Sequence, residues 1–180
     1  QTRGIFAGGQ VHPANSDIID FVTFSSTANA IDFGNLSVAR RNLIGNGNQT
    51  RGIFAGGQTP TVQDVIDYIT ISETGNAVDF GNLTSARKQL AGTASSPTRS
   101  LFFGGDTGSF TDVIDFITIP TTGNAQDFGD LRNAMIMPSG VSSSTRALIM
   151  GGANPSALNS IDFVTITTLG DVRDFGDLRE

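Results

Sequence analysis

Cysteine is absent from the 180 residues, which excludes disulfides and thiolate metal sites and leaves the redox compartment open. Histidine occurs once, as His12, in a Pro-containing loop with no repeated partner. Without a repeated His and a positioned acid, the many Ser and Thr residues make no catalytic triad. Positive charge is scarce. Eleven Lys and Arg stand against 17 Asp and Glu, a net charge of −6, which argues against a nucleic-acid surface. No apolar run approaches the roughly 20 residues that cross a bilayer as a helix, and no signal peptide is visible. The chain opens on Gln1 inside a repeat and reads as an excerpt or a processed product.

Repetition dominates what is present. Residues 1–10 read QTRGIFAGGQ, and residues 49–58 repeat those ten letters. An Arg opens each of four units at Arg3, Arg51, Arg99 and Arg146. A glycine pair follows at Gly8-Gly9, Gly56-Gly57, Gly104-Gly105 and Gly151-Gly152. Each unit then carries Ile-Asp-aromatic, with the acid at Asp20, Asp67, Asp115 and Asp162. Asp-Phe-Gly closes it at Asp32-Phe33-Gly34, Asp79-Phe80-Gly81, Asp127-Phe128-Gly129 and Asp174-Phe175-Gly176. A fixed period means one supersecondary unit copied and stacked. We read one repeat domain over residues 1–180, with units near 1–37, 38–84, 85–132 and 133–180.

Each unit predicts short strands bounded by Gly, Asn, Ser, Thr and Pro. In the second unit these are Arg51–Ala55, Val65–Ile71 and Ala77–Phe80. First strands are expected near Arg40–Gly45, Arg87–Gly92 and Met135–Gly140, and the first unit lacks one. Nothing has the length and period of a helix. In Val65–Ile71 both alternating faces are substantially apolar, which suits a sheet covered on both sides. Four short antiparallel strands per unit is the arithmetic of a propeller blade.

The order Arg, strand, Gly-Gly, variable loop, aromatic strand, aromatic strand resembles the kelch-type blade. Phe33, Phe80, Phe128 and Phe175 stand where kelch blades usually carry Trp. The fuller phrase, close to TRGIFAGG…VIDYITIxxTGNAxDFGDL, is similar to repeats in structural and tail-fibre-like proteins of marine bacteriophages. The resemblance implies an all-β, kelch-like β-propeller of about four blades, its ring seam incomplete in this chain. It also implies a virion or otherwise extracellular setting. The missing first strand would come from a longer parent with more blades, the first expectation, or from a neighbouring chain.

Several motifs have plain structural readings. Asp-Phe-Gly binds metal in protein kinases only with a Gly-rich loop, a strand Lys and a catalytic loop, and these are absent. The strand Asp residues need donors or a cation if buried. Arg3, Arg51, Arg99 and Arg146 recur at the same frequency, so an Asp–Arg or Asp–backbone tie is expected. The alternative, a ring of oxygen ligands, would suit calcium alone. Asn35, Asn48 and Asn82 begin Asn-x-Ser/Thr triplets.

The segments between the Gly pair and the aromatic strand read QVHPANSD, QTPTVQD, DTGSFTD and ANPSALNS. A held frame with changing chemistry is the pattern of a binding surface. The candidates are His12, Asn15, Gln58, Gln63, Asp106, Phe110, Asn154 and Asn159, with Phe110 suited to stacking on a sugar or docking into a partner. These readings favour a non-enzymatic structural and interaction module, which the resemblance places in many copies on a virion tail or fibre. Its expected partners are other copies of itself or virion proteins. Two alternatives are a glycan-binding adhesin and a filament subunit that shares strands between chains. No cofactor is expected.

Overall fold

The computed structural model describes residues 2–93 and 96–179. Every regular element among them is a β-strand. The strands group into four antiparallel sheets in chain order. The first holds β1 (Arg3–Ala7), β4 (Ile18–Thr23) and β5 (Ile31–Asn35), paired β1-β4-β5. The second holds β6 (Ile44–Gly47), β7 (Arg51–Ala55), β10 (Val65–Thr70) and β11 (Val78–Asn82), paired in sequence order. The third repeats this with β12 (Ala91–Thr93), β13 (Arg99–Phe103), β14 (Val113–Thr118) and β15 (Gln126–Asp130). The fourth uses β16 (Ser139–Ser142), β17 (Arg146–Met150), β20 (Ser160–Thr165) and β21 (Arg173–Asp177). Two-residue ribbons fill three of the variable segments: β2 with β3 (Gln10–Val11, Ala14–Asn15), β8 with β9 (Gln58–Thr59, Thr61–Val62), and β18 with β19 (Ala153–Asn154, Ser156–Ala157). The third such segment closes with a single bridge, Asp106 to Phe110.

The sheets stack face to face, with one apolar cluster per junction. Ile19, Phe21, Phe33 and Leu36 of the first unit meet Phe54 and Ile69 of the second. Ile66, Phe80 and Leu83 of the second meet Phe102, Ile117 and Ile119 of the third. Ile114, Phe116, Phe128 and Leu131 of the third meet Ile149, Val164 and Ile166 of the fourth. Each middle sheet is thus greasy on both sides. In β10, Ile69 faces the preceding sheet while Ile66 faces the following one, the alternation that a two-residue period requires.

A bulge makes Asp-Phe-Gly a packing device. The register of β10 on β11 shifts between Ile66 and Asp67, so Ile66 opposes Gly81 while Asp67 opposes Asp79. Phe80 is the extra residue, and its ring turns edge-on to Tyr68, 5.9 Å between centroids. It reaches the junction with the third sheet, where burial of such a ring is worth about 2–3 kcal/mol. The same shift recurs between Ile19 and Asp20, Ile114 and Asp115, and Ile161 and Asp162. Gly81 has no substitute: its φ is +144°, and a Cβ there would lie 2.5 Å from the Gly123 carbonyl oxygen of the next unit.

That close approach covers the sheet edges. The N–H groups of Gly75 and Ala77 donate to Phe33 O and Asn35 O, and Gly123 and Ala125 do the same to Phe80 O and Asn82 O. An outer strand that would otherwise present bare backbone is closed by the next unit. At the other edge, β12 lies beside both β6 and β16. Asn46 bridges there, donating to Ser100 Oγ at 2.8 Å.

The first strands lie further along the chain than expected. Ile44–Gly47, Ala91–Thr93 and Ser139–Ser142 pair as strands, while residues 40–43 and their counterparts form linkers. Each linker contains one non-glycine residue with positive φ, at Asn42, Gln89 and Met137, and a strand cannot pass through that conformation.

Candidate functional site

Two regions gather polar chemistry: the Asp residues inside the strands, and the rim formed by the variable loops with the linkers.

The strand acids are tied across units. Asp67 is fully buried and accepts from the Ser37 hydroxyl at 2.7 Å, the Ser37 N–H at 3.2 Å and Arg40 Nη2 at 3.1 Å. Asp115 repeats this with the Thr84 hydroxyl at 2.6 Å, the Thr84 N–H at 3.1 Å and Arg87 Nη2 at 2.9 Å. Arg40 and Arg87 are themselves 0% exposed. Burial pushes both guanidinium groups below their usual range, against the pull of Asp67 and Asp115. A hydroxyl, a backbone N–H and a cation together offset the cost of taking a carboxylate out of water.

The fourth sheet solves the same problem differently. The position of Ser37 and Thr84 is Arg132, and the position of Arg40 and Arg87 is Met135. Met135 is buried, while Arg132 approaches from the solvent side, 40% exposed, and pairs with Asp162 at 2.6 Å. Asp162, and after it Asp174, pushes the Arg132 guanidinium up.

The cation at the strand Asp is therefore not the repeated Arg of the opening motif. Arg3, Arg51, Arg99 and Arg146 lie over the rings of Phe21, Tyr68, Phe116 and Phe163, each 4.5–4.7 Å from the centroid. Three of them also cross a junction, donating to Ile71 O, Ile119 O and Ile166 O. The ring contact lies within one sheet, and the hydrogen bond ties that sheet to the next. The ring-of-ligands reading of the acids meets the same geometry, because Asp67 and Asp115 spend their oxygens on protein donors. Among the described residues no group of three or more His, Cys, Asp or Glu could hold a metal ion.

The Gly pairs position the rim. Gly56 and Gly57 have φ of +65° and +106°, and a Cβ on Gly56 would fall 2.5 Å from Arg87 O. This lets the Gly57 N–H donate to Arg87 O at 2.9 Å. The first three variable loops thereby start against the linker that follows them, and short bridges join the last three to the linker that precedes them: Arg41 with Gln58, Lys88 with Asp106, and Ile136 with Ala153.

Several candidate loop residues brace this frame. Asn15 donates to Gln58 O at 3.2 Å and accepts from Arg41 Nη1 at 3.0 Å, joining two loops and a linker. The Gln58 and Gln63 amides hold their own loop through Pro60 O and Thr61 O. Asp106 accepts from the Gly108 N–H at 2.8 Å and pairs with Lys88 at 3.4 Å. Asn154 donates to Ala134 O at 2.6 Å. His12, Asn154, Asn159 and Phe110 are exposed, Phe110 at 37%. Phe110 shares that exposure with Phe6, Phe24 and Phe175, at 60%, 67% and 54%. These three belong to the first and fourth sheets, and reading the rim alone missed them. A cleft of about 1010 Å³ also runs along the first sheet, lined by Gly4, Ile5, Phe24, Asn46 and Phe54 among others.

No protein-family model matches the chain, and no curated protein matches it either.

Proposed function

We propose that the chain is a non-enzymatic repeat scaffold whose sheets are set about a common axis as kelch-like propeller blades, and that it binds through the loop rim. Its setting, on the resemblance of its repeats, is a bacteriophage tail or fibre, and hence a virion or extracellular surface. The observation that carries the reading is the pinning of chemically different loops onto one conserved frame. Gln58, Asp106 and Ala153 occupy the same bridged position in three units, yet the loops around them differ at most positions. Buried ties hold the frame, so the loops can vary with little cost to folding. One weak contact per loop, multiplied over copies on an assembly, gives useful avidity.

The test is a loop exchange. Residues 106–112 (DTGSFTD) are replaced by QTPTVQD from the second unit, and Phe110→Ala is made separately. Both variants should melt within about 2 °C of the parent, since surface changes fall near ±0.5 kcal/mol. Binding to immobilised host-cell envelope and to a glycan array is then read. Loss of envelope binding in both variants supports the rim, and glycan-array signal lost with Phe110→Ala assigns the ligand class as carbohydrate. Envelope binding unchanged in both variants refutes the third loop as a contact.

A further inference from the structure

We propose that the hairpin turns joining β14 to β15 and β20 to β21 are saccharide sites, each a cleft that takes one sugar ring.

The third unit shows how the site is built. There β14 ends at Thr118 and β15 begins at Gln126, and residues 119–125 between them read IPTTGNA. Pro, Gly and Asn turn the chain, and the preceding unit fixes where the turn lies. The N–H groups of Gly123 and Ala125 donate to Phe80 O and Asn82 O at 2.8 Å. Asn124 Oδ1 accepts from the Asn82 N–H at 3.1 Å. A turn held in this way is ordered before any ligand arrives. Its hollow is a cleft of about 310 Å³. Phe116 and Ile117, 6% and 2% exposed, are its floor. Thr118, Thr121, Thr122 and Gln126 are its wall.

The fourth unit repeats the cleft, again of about 310 Å³, from the corresponding positions. Phe163 and Val164 are the floor, Thr165 and Thr168 keep two hydroxyls, and Arg173 replaces Gln126. Each cleft is lined by residues of its own unit alone. The third is open with the fourth sheet packed against Phe116, so the hollow belongs to the hairpin itself.

These polar side chains are unspent. Among the described residues, none is hydrogen-bonded to the side chain of Thr118, Thr121, Thr122 or Gln126. On the rim, by contrast, Asn15, Gln58, Gln63 and Asn154 use theirs to brace the frame.

The chemistry selects the ligand. No charged side chain lines the third cleft, so a phosphate, a carboxylate or a metal ion finds no counter-charge there. Three hydroxyls and an amide over an apolar floor complement a pyranose, which carries hydroxyls at its edge and C–H groups on its faces. The volume is at the lower end for small-molecule sites and suits a single ring. In the fourth cleft Arg173 adds a cation, which favours a sugar bearing a carboxylate. Each variable loop lies at the opposite end of these strands, since β14 leaves the rim at Val113 and reaches the hairpin at Thr118. The site is therefore separate from the rim, and either can fail without the other.

The test follows the backbone amides of the isotope-labelled 180-residue chain by NMR. Methyl glucoside, mannoside, galactoside, N-acetylglucosaminide and glucuronide are each added to about 10 mM, enough to load a site with Kd of about 1 mM. At least one neutral glycoside should shift residues 118–126 saturably, and the glucuronide should shift residues 165–173. The double variant Thr118→Val with Thr121→Val changes exposed positions only and should melt with the parent. It should bind at the third cleft about tenfold more weakly, the effect of two lost hydrogen bonds, and the shifts at the fourth cleft should persist. Phe110→Ala, on the rim, should leave both clefts unaffected. Glycerol at the same concentration should move neither. The proposal is overturned if every neutral glycoside is silent at residues 118–126, if glycerol produces the same shifts, or if the double variant binds there as the parent does.

Discussion

Arg87→Met tests whether the buried carboxylate governs the junction between the second and third sheets. Asp115 is fully buried, and Arg87 Nη2 sits 2.9 Å from it. Removing one partner of a buried pair costs about 3–5 kcal/mol. The incoming Met, buried as Met135 is in the fourth unit, returns about 1.5–2 kcal/mol of apolar burial. The net loss is about 2–3 kcal/mol, a fall in Tm of about 5–10 °C for a chain of this size. Adding Thr84→Arg reproduces the fourth sheet's solution, in which Arg132 reaches Asp162 from the solvent side at 2.6 Å. The double variant should return to within about 1 kcal/mol of the parent, the residue of loss reflecting the Thr84 hydroxyl bond. Thr84→Arg alone should destabilise, because it sets a second cation beside Arg87. A double-mutant cycle in urea, followed by far-ultraviolet circular dichroism because the chain has no Trp, should give a coupling of at least about 2 kcal/mol. Additive changes, or an Arg87→Met loss below about 0.5 kcal/mol, would refute the argument.

Two further outcomes follow from the same geometry. Gly81→Ala meets both a φ of +144° and a carbonyl 2.5 Å away, while Gly176→Ala meets a similar φ of +145° and open space. Backbone strain of about 1–3 kcal/mol applies to both, so Gly81→Ala should be the more destabilising in a chemical melt, and equal losses would contradict the packing. Asp130 is pushed above its ordinary value of 3.8 by desolvation and then by the carboxylates of Asp112, Asp171 and Asp127. A raised folded pKa in an acid means that stability is present below the unfolded value and lost as pH rises through the folded one. Asp130→Asn, which installs the residue found at Asn35 and Asn82, should therefore stabilise at pH 7 by under ~0.5 kcal/mol at this exposed site. The gain should disappear below about pH 4, and a gain that grows on acidification would contradict the sign.

The second and third strands of each unit were legible because RGIFA and VIDYIT are β-branched and aromatic runs between turn residues, and they fold as β7 and β10. The first strands were misplaced by about four residues. Arg40–Leu43 looks as strand-like as IGNG, whose two glycines weaken it, and nothing in the letters announces that Asn42 takes positive φ. The strand Asp was rightly expected to need donors, but counting one Arg per unit selected Arg51, which is periodic in all four. The real partner, Arg40, recurs only as Arg87 before giving way to Met135, so periodicity hides it. The Phe of Asp-Phe-Gly packs between sheets at the three internal junctions. The bulge that aims it there is a matter of register, which composition does not reveal.

No tie described here reaches beyond a unit's immediate neighbour. Length is consequently a free variable: a gene that gains or loses one whole copy alters how many modules stand in the row without asking any surviving side chain to find a new kind of partner. The identity of residues 1–10 and 49–58 is what such duplication leaves behind. The Arg132 and Met135 exchange shows the constraint that remains, since two positions three apart must drift together for a copy to keep fitting the one beside it.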